Sequence, residues 1–176
     1  MKPDIFMDDF SSDVEKDASY ASLGRALALA TRFEMGCRTL AKILLLKINP
    51  ELRLESIEQQ SEALRAAGDK RLFAHIRAFG PRFQPIPGVD IESLLHEARE
   101  ARNVIAHQIA AGAIDMLSHE DGRRWLREHL ERQVRAVAIG DRIISVALTT
   151  LTNDLMPAPS FVKDYDRAVT SWVFNT

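Results

Sequence analysis

Between His96 and His107 the chain gathers two histidines, two acids, an amide and two arginines. On a helix advancing about 100° per residue, His96, Glu100, Asn103 and His107 follow one another at spacings of four, three and four and form one polar stripe. Solvated helix faces usually hold Lys, Glu and Gln. A stripe with paired His and Asn suits a reactive site or a polar interface as well as a solvated face. Imidazole is the one side chain whose ordinary pKa lies near neutrality, so His107 suits general acid–base work. Arg102 carries a planar fork of donors that matches phosphate oxygens. Asn103, one turn before His107, could hold a phosphate or orient the imidazole. The other side of the same helix carries Ile91, Leu94, Ala98, Ala101, Ile105 and Ile109 and reads as its core stripe. Arg102 and His107 fall about 140° apart on an ideal helix, with Arg102 on the flank of the core stripe. Joint action needs a long side chain reaching round, or a second copy of the helix brought in across a two-fold axis. The competing arrangement is that of a plain scaffold, with Arg102 in an internal ion pair and His107 facing solvent.

The run Arg102-Asn103-Val104-Ile105-Ala106-His107 resembles the signature of the HEPN superfamily. These are all-helical domains with an Arg, four to six intervening residues and a His, often with Asn or another polar residue after the Arg. The bare spacing also fits Arg123 and Arg124 with His129, so the context carries the resemblance: the adjacent Asn103, apolar Val104 and Ile105, and a small residue before His107. The resemblance implies a metal-independent endoribonuclease site assembled across a homodimer, or a module that only binds RNA, without cofactor, in phage defence or a stress response. It makes Arg102, Asn103 and His107 the catalytic group and RNA the partner. One variant of the family places a Tyr two residues after the His. Here that position is Ile109, so a regulatory modification of that tyrosine has no acceptor.

Other arginines are candidates for holding an RNA strand: Arg99 on the same helix, and Arg123, Arg124 and Arg127 at the start of the last long helix. Glu128 and Glu131 interleave with the latter group, so helix salt bridges explain it equally well. The hairpin of helices around Gly68 resembles a helix-turn-helix, with Arg71, His75 and Arg77 toward DNA. A di-iron carboxylate bundle would need Glu-x-x-His pairs, and no Glu here has His three residues on.

The elements that must position these groups are helical. With 176 residues the chain is one domain's worth, and 46% hydrophobic with 27% charged residues excludes a disordered or collagen-like chain. A net charge of −2 makes any polyanion binding a matter of a local patch. The single cysteine, Cys37, excludes an intrachain disulfide and suits a cytoplasmic setting. The N-terminus reads as uncleaved, and apolar runs such as Ile43 to Leu46 are too short to span a bilayer.

Ser11 or Ser12 is expected to cap a helix reaching about Ile48, with Tyr20, Leu23, Leu27, Ala30, Met35, Leu40, Ile43 and Leu44 on its apolar side and Asn49-Pro50 as its stop. Short helices follow over Ser56–Ala67 and Lys70–Phe79, then a proline-rich loop over Pro81–Gly88. Asp90 caps a helix from Ile91 to about Ala111, ended by Gly112. Ser118 and Asp121 are expected to open a helix to about Asp154, broken by Pro157 and Pro159, and Ser160 to cap a last one. Two helices this long need each other to bury their stripes, which predicts an all-α, up-and-down bundle of four or five helices. The bundle spans 13–155, between an arm at 1–12 and a tail at 156–176. Phe6, Met7 and Phe10 at one end, and Phe161, Tyr165 and Trp172 at the other, either fold back onto it or dock a regulatory protein partner. The second option is the competing function: a non-enzymatic helical adaptor.

Overall fold

The computed structural model describes residues 14–79 and 89–175. It is all-helical in its elements. Helix α1 spans Val14–Ile48, a 3₁₀ turn spans Pro50–Leu54, α2 spans Ile57–Gly68 and α3 spans Leu72–Phe79. A continuous rod follows: α4 (Ile91–Asn103), a π-helical segment (Val104–Ile109) and α5 (Ala110–Leu117). Helix α6 spans Glu120–Thr152 and α7 spans Pro159–Phe174.

The directions of these rods follow from which residues meet. Glu15 pairs with Arg123, and Arg32 with Asp141, at sequence separations of 108 and 109. A constant separation means that α1 and α6 run parallel. Gly140 faces Ala98 while Gly122 faces Met116, so the α4–α5 rod runs antiparallel to α6. Arg142 meets Val162 and Arg127 meets Phe174, so α7 also runs antiparallel to α6. The four long rods therefore alternate up, down, up, down. Helices α2 and α3 fill the excursion between the first two, and the all-α, up-and-down bundle is the one expected.

The core lies where α1, α4 and α6 meet, around Phe33, Leu40, Leu95, Ile105, Leu130, Val134 and Ile144, all with at most 1% of their surface exposed. Gly140 lets these rods approach closely. A Cβ there would come within 2.9 Å of the Phe33 ring, besides meeting Ala98.

Local signals explain most of the helix ends. Asn49-Pro50 stops α1 as expected. Ser56 closes a reciprocal capping box with Gln59, and Asp90 Oδ1 accepts from Ser93 N at 3.0 Å. Other expectations fail. Gly112 does not end its helix, which runs through it to Leu117. Ser118 is the C-cap of α5, and α6 starts behind His119 without a side-chain cap. Ser160 lies inside α7, where Pro159 takes the first turn behind Ala158, because proline's missing N–H costs nothing there. Asn153, in the left-handed conformation with φ 57°, ends α6 before the prolines are reached. Tyr20 and Met35, placed on the apolar side of α1, are exposed, and on α4 the buried leucine is Leu95 rather than Leu94. The Ser11/Ser12 cap, the Phe6, Met7 and Phe10 group, and the Pro81–Gly88 loop lie outside the described residues. Helix α7 packs on α1 and α6 through Tyr165, Val169 and Val173. No described helix is long and apolar enough to cross a membrane.

Candidate functional site

The π-helical segment begins two residues after Arg102 and contains His107. Within it Ala110 N–H bonds back to Ile105 O, five residues away instead of four. The wider turn changes which residues stack. In an α-helix positions 102 and 107 diverge, whereas a turn closed over five residues sets one above the other. The 140° expected between Arg102 and His107 is thereby absorbed. Arg102 Nη1 lies 3.4 Å from His107 Nε2 and donates to Asn103 Oδ1 at 3.1 Å. π-bulges of this kind recur at functional sites.

The core stripe contains a reason for the bulge. Buried Ala101, Ile105, Ile109, Ala113 and Leu117 are spaced by four throughout. Each step of four overshoots a full α-helical turn by about 40°, so four steps drift by about 160°. An unbroken α-helix could not keep all five on the core. The widened turn resets the phase, and the same reset aligns Arg102 with His107.

A residue from another helix completes the cluster. Glu34, on α1, accepts from Arg102 Nη2 through Oε2 and from Arg38 Nη2 at 2.7 Å through Oε1. The guanidinium of Arg102 is thus held at both ends, by a carboxylate on one terminal nitrogen and by Asn103 and His107 on the other. Arginine has no acceptor, so its contact with His107 Nε2 selects the tautomer with a lone pair on that nitrogen. A lone pair there is what a proton acceptor needs. His107 is exposed, and the side chains of Arg102 and Glu34 are about four-fifths buried, at 21% and 19% exposure. The internal ion pair of a plain scaffold is therefore present, yet it leaves Arg102 Nη1 turned toward the imidazole.

The rest of the polar stripe does not join this cluster. His96 Nε2 sits 3.6 Å from Glu92 one turn back, and Glu100 pairs with Arg99. The other arginines are elsewhere too. Arg123 donates to Leu117 O at 3.2 Å and pairs with Glu15 at 3.1 Å. Arg124 pairs with Glu120 at 3.1 Å, and Arg127 lies over the Phe174 ring at 5.8 Å. With Arg25 these three line a separate groove of about 580 Å³ between the starts of α1 and α6 and the end of α7. The helix-turn-helix arrangement fails at His75. It is 2% exposed, packed inward rather than toward DNA, and burial lowers its pKa against the opposing pull of hydrogen bonding at Gly68 and Lys70. Cys37 is buried, and burial pushes its thiol pKa up, far from a reactive thiolate. Among the described residues no cluster of three His, Cys, Asp or Glu is placed to hold a metal ion.

Comparison of the chain with family models, with curated proteins and with solved structures gives no match.

Sequence reasoning missed Glu34, and it has no local signal. It reaches Arg102 across 68 residues, and only the packing of α1 against α4 reveals it. The run of buried residues at strict spacing four was legible, and it is the signal that would have placed Arg102 beside His107.

Proposed function

We propose that this chain is a metal-independent endoribonuclease of the HEPN type, working in the cytoplasm as a homodimer in phage defence or a stress response. The observation that carries the reading is the contact between Arg102 Nη1 and His107 Nε2 at 3.4 Å on an exposed helix face. A base beside a guanidinium is the pair that RNA cleavage without metal requires. As Arg102 Nη1 turns from Nε2 to the phosphate, the freed lone pair of His107 Nε2 takes the proton of a ribose 2′-hydroxyl. The 2′-oxygen then attacks the adjacent phosphorus, and the bond to the 5′-oxygen breaks. The leaving 5′-oxygen takes a proton from the protonated imidazole of the same subunit or of its symmetry mate. Arg102 balances the charge that grows on the phosphoryl oxygens, and Asn103 keeps its fork in plane with them. Glu34 sets the angle of that fork. In a two-fold dimer the helix face meets its own copy, and two Arg–His pairs line one cleft.

The product expected from single-stranded RNA is a 2′,3′-cyclic phosphate, identified by mass spectrometry, formed at full rate with a chelator present. Replacing His107 with Ala should lower that rate by about 10²–10⁴-fold with an unchanged melting temperature, since the ring is exposed. Cleavage abolished by chelation, or unaffected by the His107 replacement, would overturn the reading.

A further inference from the structure

A second arginine is held in a different way, by its inner nitrogen alone. Arg32 on α1 lies 3.1 Å through Nε from the carboxylate of Asp141 on α6. Asp141 is 2% exposed and also accepts from the hydroxyl of Tyr165 on α7. Burying a carboxylate is expensive unless donors replace its water. Here both oxygens are engaged, and three helices contribute to holding one guanidinium by its inner nitrogen. The rest of that guanidinium is not consumed. The Arg32 side chain is 61% exposed, and among the described residues Nη1 and Nη2 meet no acceptor.

Arg32 is also one of the residues that line a cleft of about 350 Å³ between α1 and α7. Its walls are Ala28, Leu29, Val169, Phe161 and Trp172, and among the described residues that line it Arg32 is the only charged one. Phe161 and Trp172 keep about half of their surface exposed, at 54% and 52%. An apolar slot with one oriented donor fork has the makeup of a small-molecule pocket, at the small end of the usual size range. The fork's free edge fits two carboxylate oxygens, and the half-exposed Trp172 ring fits a flat apolar body.

We infer that the cleft between α1 and α7 binds a small carboxylate with an aromatic body, its acid group on Arg32 and its ring against Trp172. The size of the slot favours a small molecule over a protein segment. The site is independent of the Arg102–His107 cluster, so its success or failure leaves the ribonuclease reading untouched.

The test uses the full chain with Trp125→Phe, which leaves Trp172 as the sole tryptophan reporter of the two in the sequence. 3-Phenylpropionate should change the Trp172 emission saturably, with a Kd below about 1 mM. Its uncharged amide should bind at least about tenfold more weakly to the same protein. Ala28 is exposed, so Ala28→Leu should fold and should weaken the carboxylate at least about tenfold by filling the slot. Arg32→Gln should do the same, and where it fails to fold the other two comparisons decide. Equal binding of acid and amide, no saturation by about 10 mM, or an Ala28→Leu chain that binds as before would each overturn the site. A partner protein that binds this face while the small acid does not would overturn it as well.

Discussion

Helix α1 takes part in two arginine–carboxylate pairs of opposite construction. At Glu34 it supplies the acid, and the arginine comes from α4. At Arg32, only two residues earlier, it supplies the arginine, and the acid comes from α6. The first acid keeps 19% of its side-chain surface open and is shared by two arginines, Arg38 and Arg102. The second is 2% exposed and is closed off by Tyr165. Glu34 that loses one arginine keeps the other, whereas Arg32 is the one cation paired with Asp141 among the described residues. The shallow pair therefore positions side chains at little cost in stability, and the deep pair fastens α7 to the α1–α6 seam.

Four experiments test this contrast. The largest effect is expected from Arg32→Ala, which leaves the buried Asp141 carboxylate without its cation. Denaturant unfolding should show a loss of about 3 kcal/mol, the low end for orphaning a buried charge. A loss below about 1 kcal/mol would put the two pairs in one class. Tyr165→Phe keeps the ring but removes a donor from the same carboxylate, and should cost about 2 kcal/mol.

The pH dependence separates the buried groups next. His75 has a lowered pKa, so the unfolded chain binds its proton more readily than the folded one. Its contribution to stability is full above the ordinary histidine range near 6.5 and fades as pH falls through it. Tyr165 and Cys37 are raised, chiefly by burial and, for Tyr165, next by its bond to Asp141. Their contribution is full below the ordinary values and fades as pH climbs above about 8.5 for the thiol and about 10 for the phenol. A melting-temperature profile should sag on both sides, and Tyr165→Phe should flatten the alkaline side alone. The smallest change in stability belongs to Glu34→Gln, less than about 1 kcal/mol. Under the ribonuclease reading that same replacement slows RNA cleavage by freeing the Arg102 fork.

Much of the fold could be read from local chemistry. Proline after Asn49, the Asp90 cap and the long apolar periods of α1 and α6 act within a few residues, and they give the helices and the all-α class. What could not be read was decided at longer range. Gly112 is a poor helix residue by propensity, yet packing of Ala113 and Leu117 into the core carries the helix through it. Ser118 and Asp121 offered a cap by pattern, but the chain turned at His119 instead. At the candidate site, Arg102, Asn103 and His107 were visible as residue types, while their meeting was not. An ideal helical wheel parts them, and only the phase reset demanded by the four-residue spacing of the core stripe joins them. Arg99, Arg123, Arg124 and Arg127 were grouped with them by charge alone, and charge carries no information about which face a helix turns where.

The parallel run of α1 and α6 bears on how the molecule is made. Glu15 is separated from its contact Arg123 by 108 residues, and the ribosome adds about 5–20 residues each second. For roughly 5–20 s the newborn first helix lacks its α6 partner for the stripe that carries Leu23, Leu29 and Phe33. Escort by a chaperone, or temporary shelter against the α4–α5 rod as it emerges, would spare that nascent surface from aggregation until the sixth helix arrives.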